Sequence, residues 1–131
     1  MIRKLIVLFA VAASVLALAG CASGPQKISV TTTEFKFEPL TWEVSAGKEV
    51  ELTIINEGAL EHEWVIVKQG MEITMPFDAD DEEKVYWEME AQGNETVVGT
   101  FTAPSDPGTY TIVCGTPAHL ESGMMGTLTV K

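Results

Sequence analysis

The stretch Cys114-Gly115-Thr116-Pro117-Ala118-His119-Leu120-Glu121-Ser122-Gly123-Met124 gathers a thiol, an imidazole and a thioether near the C-terminus. Soft sulfur donors combined with imidazole suit copper. Two histidines and one cysteine in a trigonal set, with a long, weak bond to methionine, form an electron-transfer copper geometry. The stretch supplies three of those four groups. The chain has two histidines in all, so the remaining nitrogen donor is His62.

Each of these residues also has an ordinary use: Cys114 as core at a strand end, His119 as a surface loop residue, Met124 as packing. Their joint spacing is what points to a metal. A regular strand sends neighbouring side chains to opposite faces, so donors meant to converge belong on a loop. A loop closed by two paired strands has fixed ends, and a fourth donor on another strand ties the site to the core. With two histidines the chain has too few for a further type 2 or trinuclear copper centre.

The elements that must position these groups read as strands. Alternating apolar and polar residues run over 28–32, 34–37, 42–44, 49–55, 62–67, 84–90, 95–101, 109–114 and 126–130. Pro39, Ala46-Gly47-Lys48, Asn56-Glu57-Gly58, Gln92-Gly93-Asn94 and Ser105-Asp106-Pro107-Gly108 punctuate them. Seven to nine short strands with no convincing helix predict an all-β, two-sheet antiparallel Greek-key sandwich or barrel over residues 28–131. Residues 70–83 are the least regular part. Met71 and Met75 could pair as thioether ligands for Cu(I), but gap-filling is the commoner use of methionine. The acidic run 78–83 reads as a solvated loop, and the three tryptophans read as core.

Residues 1–20 read as a signal peptide. Arg3 and Lys4 precede an apolar run, Leu5 to Leu18, too short for a comfortable membrane span. Leu18-Ala19-Gly20-Cys21 resembles a bacterial lipobox, which implies cleavage before Cys21 and lipidation of its sulfur. Residues 21–27 then form the lipidated cysteine and a short linker, and the domain sits extracytoplasmic, close to its membrane. Cys114 becomes a lone thiol in an exported protein, which metal ligation would explain. Without Arg3 and Lys4, six basic side chains face 19 acidic ones, a net charge near −13. Such a surface repels nucleic acid and favours a partner with a basic face.

Together these residues resemble the cupredoxin, or blue (type 1) copper, family over nearly all of 28–131. Glu34-Phe35-Lys36-Phe37-Glu38-Pro39, Ala46-Gly47-Lys48-Glu49-Val50 and Asn56-Glu57-Gly58 before His62 look like its N-terminal half. Pro107-Gly108-Thr109-Tyr110 and Gly123-Met124-Met125-Gly126-Thr127-Leu128-Thr129-Val130 look like its C-terminal half. Four residues separate Cys114 from His119, as in azurins, and four separate His119 from Met124, as in plastocyanins. The combination is similar to auracyanins, membrane-associated electron carriers.

The resemblance implies one copper ion held by His62, Cys114 and His119 with Met124 axial, where Met124 fits the Gly-Met-x-Gly pattern better than Met125. It implies a non-enzymatic one-electron carrier, monomeric, serving redox partner proteins or membrane electron-transfer complexes. His119 would be the electron port, with Leu120, Pro117, Met125 and Leu60 as an apolar docking patch. A copper chaperone or buffer with the same ligands is the alternative. Three positions depart from the family pattern. Glu63 stands where many relatives carry an asparagine that ties the ligand loops together. Gly115 stands where Ser or Thr is frequent. Both predict weaker hydrogen bonding near the sulfur. Ala118 replaces a frequent glycine.

Overall fold

A computed structural model describes residues 24–131. Residues 1–20, read above as a signal peptide, and Cys21 lie outside these residues. Nine strands form two sheets: β1 (Gln26–Thr33), β2 (Lys36–Glu38), β3 (Thr41–Val44), β4 (Glu49–Asn56), β5 (His62–Val67), β6 (Val85–Ala91), β7 (Thr96–Thr102), β8 (Gly108–Val113) and β9 (Met125–Val130). β1 starts two residues before the alternation at Ile28, so Gln26 and Lys27 belong to the sheet rather than to a linker. One sheet has the order β2-β1-β4-β7 and the other β3-β9-β8-β5-β6.

The sheets are not purely antiparallel. β1 runs parallel to β4, and β3 parallel to β9. The chain changes sheet at β2–β3, β3–β4 and β4–β5, and again at β6–β7 and β7–β8. Strands that cross between layers can return beside a distant strand in the same direction. Alternation within a strand records which face is buried but carries no information about the neighbour's direction.

Inward residues of both sheets form one core: Val30, Val50, Leu52 and Ile54 face Trp42, Trp64, Ile112 and Leu128. Trp64 is fully buried and meets Trp42 edge-on at 5.3 Å, with Trp87 and Phe101 beside it at 6.3 and 6.1 Å. The tryptophans therefore serve as core. Each fully buried large apolar side chain contributes roughly 1.5–3 kcal/mol.

β5 departs from simple alternation, since Trp64-Val65-Ile66-Val67 are all buried. Val65 and Val67 point away from the main core into a second cluster with Val113 and Leu120. Ile73, Phe77 and Val85 pack over it. The irregular segment after β5 is thus a cover for the outer face of β5 and β8. It contains a six-residue 3-10 helix, Ala79–Lys84, where the acidic run lies. Asp78 caps it by accepting from the Asp80 N–H at 3.0 Å, and Asp81 accepts from the Asp78 N–H at 3.3 Å.

Asp81 is not solvated: it is 1% exposed and accepts a 2.8 Å hydrogen bond from Lys84. That bond, with the Asp78 N–H, holds its carboxyl below the usual range. The native pKa lies below the unfolded one, so the stabilisation is present above about pH 4 and disappears as pH falls through the native value. Asp81→Asn is expected to cost about 1–2 kcal/mol at pH 7. Urea denaturation should show the difference from wild type narrowing below pH 4; an unchanged difference would rule out the ion pair as its source.

Candidate metal centre

All four predicted donors collect at one end of the sandwich. His62 opens β5, Cys114 follows the last residue of β8, and His119 and Met124 lie on the connection from β8 to β9. β5 neighbours β8 in antiparallel register, Val65 opposite Val113, so the first residue of β5 reaches the end of β8. Val113 pairs with Met125 across β8 and β9, and the Cys114 N–H donates to the Met124 carbonyl at 3.1 Å, closing the base of the loop. Inside it, the N–H groups of His119, Gly123 and Met124 donate to the carbonyls of Thr116, Leu120 and His119 at 3.1, 2.8 and 3.0 Å. Ala118 sits at φ +69°, the left-handed region that glycine occupies freely. A side chain there costs roughly 1–2 kcal/mol.

His62, Cys114 and His119 are at most 2% exposed, and Met124 is fully buried. His62 Nδ1 lies 3.1 Å from His119 Nδ1, and Cys114 Sγ lies 3.9 and 3.4 Å from these two nitrogens. A point equidistant from the three atoms is about 2.0 Å from each, which matches the roughly 2.0–2.3 Å bonds of imidazole and thiolate to a transition metal. The donors therefore fit one small metal ion without rearrangement. Burial, with His119 nearby, lowers the pKa of His62, and burial lowers that of His119, so both offer neutral nitrogens. Burial pushes the Cys114 thiol up, while contacts from Thr116 and the backbone N–H of Glu63 favour the thiolate.

The weak surroundings predicted from Glu63 and Gly115 take a different form. Thr116 ties the ligand loops, its hydroxyl donating to the Glu61 carbonyl at 3.1 Å. Glu63 and Gly115 are a matched pair: a Cβ on Gly115 would collide with a Glu63 carboxyl oxygen. Glu63 is half-buried there, and its pKa is pushed up to about 7 by burial first and then by Glu88, Glu61 and Glu90.

Two docking assignments change. Leu120 is 3% exposed and points into the outer cluster with Val65, Val67 and Val113, so it is not surface. His119 is also closed off: the Phe35 ring, 46% exposed, meets it edge-on at 5.1 Å. Pro117, Leu60 and Met125 are exposed as read.

Sequence reasoning missed the positioning roles of Glu34, Phe35 and Asn56. Glu34-Phe35 is not strand but the turn joining β1 to β2, with Phe35 at φ +63°, which swings its ring toward His119. Glu34 accepts from the Ala59 and Leu60 N–H groups at 2.6 and 3.3 Å, clipping this turn onto the loop before His62. The Asn56 amide faces the carbonyls of Leu60, Ala91 and Gln92 at 2.8, 3.0 and 3.0 Å, while its oxygen accepts from Gly58 at 2.9 Å. The available signal was a polar residue ending an apolar alternation just before a ligand.

Gly115→Ala is expected to destabilise the metal-free protein by about 1 kcal/mol, since the Glu63 carboxyl end must swing aside and the Phe77 ring, 3.2 Å away, must give slightly. Glu63→Ala in the same chain should recover most of that loss. A double-mutant denaturation cycle showing simple additivity would refute the pairing.

Comparison with known proteins agrees with this geometry. Residues 25–131 match the copper binding proteins of the plastocyanin/azurin family. Auracyanin-A of Chloroflexus aurantiacus is 32% identical over 126 residues, covering 83% of this chain and 76% of that protein. Auracyanin-B of the same organism is 28% identical over 110 residues, but the chain spans only 46% of its length. The auracyanin A crystal structure superposes with a TM-score of 0.70, covering 82% of this chain and all (100%) of the other. Dithionite-reduced auracyanin from Roseiflexus castenholzii, 27% identical, gives 0.67 with 82% and 99% covered. The cofactor is accordingly copper, the fold is that of the cupredoxins, and the chain belongs to the plastocyanin/azurin family of copper-binding proteins.

Proposed function

We propose that the chain is a one-electron carrier with a mononuclear type 1 copper site, tethered to a membrane outside the cytoplasm. The observation that carries the reading is the buried triangle of His62 Nδ1, Cys114 Sγ and His119 Nδ1, already at metal-binding separation. Copper held there would supply a Cu(II)/Cu(I) couple. Rigid donors then need little movement between oxidation states, which favours fast exchange. Met124, fully buried beside the loop base, would supply the weak thioether to copper bound there, whereas Met125 is 46% exposed.

The electron leaves through His119 and the Phe35 ring that covers it, with Pro117 and Leu60 offering apolar surface to a partner. Oxidised and reduced partners of opposite charge to the acidic domain suit this face. The lipobox-like Leu18-Ala19-Gly20-Cys21 supports anchoring through Cys21, and several acyl chains on one residue give stable attachment. The chain acts as a monomer and catalyses no reaction of its own. A copper-buffering role is the second reading, favoured by the exposed thioethers of Met71 and Met75.

The visible and EPR spectra of the Cu(II) protein test the assignment. An intense thiolate charge-transfer band and narrow copper hyperfine splitting are expected, both abolished by Cys114→Ser. Met124→Leu should shift the spectrum and Met125→Leu should leave it unchanged; the reverse would reassign the axial ligand. Slow electron self-exchange with rapid copper release to an acceptor would favour buffering over electron transfer.

A further inference from the structure

The backbone around the copper cage has two faces. Three pairs of consecutive residues straddle it: Val113/Cys114, His119/Leu120 and Met124/Met125. In each pair one member turns toward the cage and the other toward a groove on the outer side of the sheet. This groove, about 280 Å³, has Val113 and Leu120 in its floor and Ile73 on its flank. Thr111, Glu72 and three methionines complete its lining; Met71, Met75 and Met125 are 52%, 64% and 46% exposed. Of the five methionines in the domain, Met124 serves the cage and Met89 fills the space over Gly99. All of the exposed ones line this groove.

Packing explains buried methionine, but it does not explain three exposed methionines lining one depression. Thioethers are soft donors that select Cu(I) over harder ions. Unbranched methionine side chains, with three rotatable bonds, can converge on a metal without moving the backbone. Glu72 at the rim adds a negative charge that draws a cation. We propose that Met71, Met75 and Met125 form a second, thioether-only site for Cu(I), on the opposite side of the ligand loop from the type 1 site. No oxidation or bond cleavage is involved: Cu(I) exchanges solvent or a donor's ligands for three sulfurs. The site lies beyond the electron-carrier reading and holds whether or not the cage carries electrons.

The test is an anaerobic titration of the protein, with Cu(I) already in the cage, using further Cu(I) against a chromogenic Cu(I) chelator. One additional equivalent is expected. The 13C-methyl signals of Met71, Met75 and Met125 should shift while that of Met89 stays in place. The combined Met71→Leu, Met75→Leu and Met125→Leu variant should lose the additional equivalent and keep the oxidised charge-transfer band. Single substitutions should weaken the extra equivalent at least tenfold. Absence of a second equivalent in the wild type would overturn the proposal, as an apolar partner-docking groove would give that result. So would a second equivalent that survives the triple substitution, or methyl shifts confined to other methionines. The wild-type methyl shifts decide the question even if the triple variant folds poorly.

Discussion

The pairing of Val113 with Met125 is the constraint on which the site depends. It fixes both ends of the ligand loop at once, and the Cys114–Met124 backbone hydrogen bond prolongs the ladder by one step into the loop. Without that clamp, two imidazoles and a thiol from separate segments would have no reason to converge on one point. The fold therefore holds the three donor atoms converged on one point, in contact with one another and with their lone pairs facing inward, and the aromatic core around Trp64 supports that end of the sandwich.

The two ligand loops are tied together by means the sequence resemblance did not suggest. After the first ligand histidine this chain carries a half-buried carboxylic acid at Glu63. Room for it comes from the missing side chain at Gly115. Thr116 takes over the link between loops through the Glu61 carbonyl. Two residues that look like independent losses in the sequence are one local rearrangement. The thiolate is favoured by the Thr116 side chain and by the backbone at Glu63 and Thr116.

What could be read from the residues divides along physical lines. Alternation located every strand to within a few residues, because burial on one face repeats every second position. The donor set was legible because Cys, His and Met at this spacing are rare by composition. Parallel neighbours were not legible, since β1–β4 and β3–β9 are chosen by the path of distant crossovers. Phe35 looked like strand because its neighbours alternate; only its positive φ turns the ring onto His119. Leu120 looked like surface because loop residues commonly are, and its burial depends on the 68–84 cover, which has no periodic signature.

The direct run of β1 carries an orientational consequence. Gln26 sits beside Ser45 and Glu43 at one end of the sandwich, and the same strand, followed by one tight turn, delivers Phe35 to His119 at the other. Its eight residues span roughly 25 Å. An attachment through the residues preceding Gln26, such as the one proposed above, would therefore grip the domain at the pole opposite the metal. It would turn the copper pole outward, like a lamp on a short post. Exchange with soluble partners would be left open, and partners embedded in the same surface would have to reach about a domain's height to meet it.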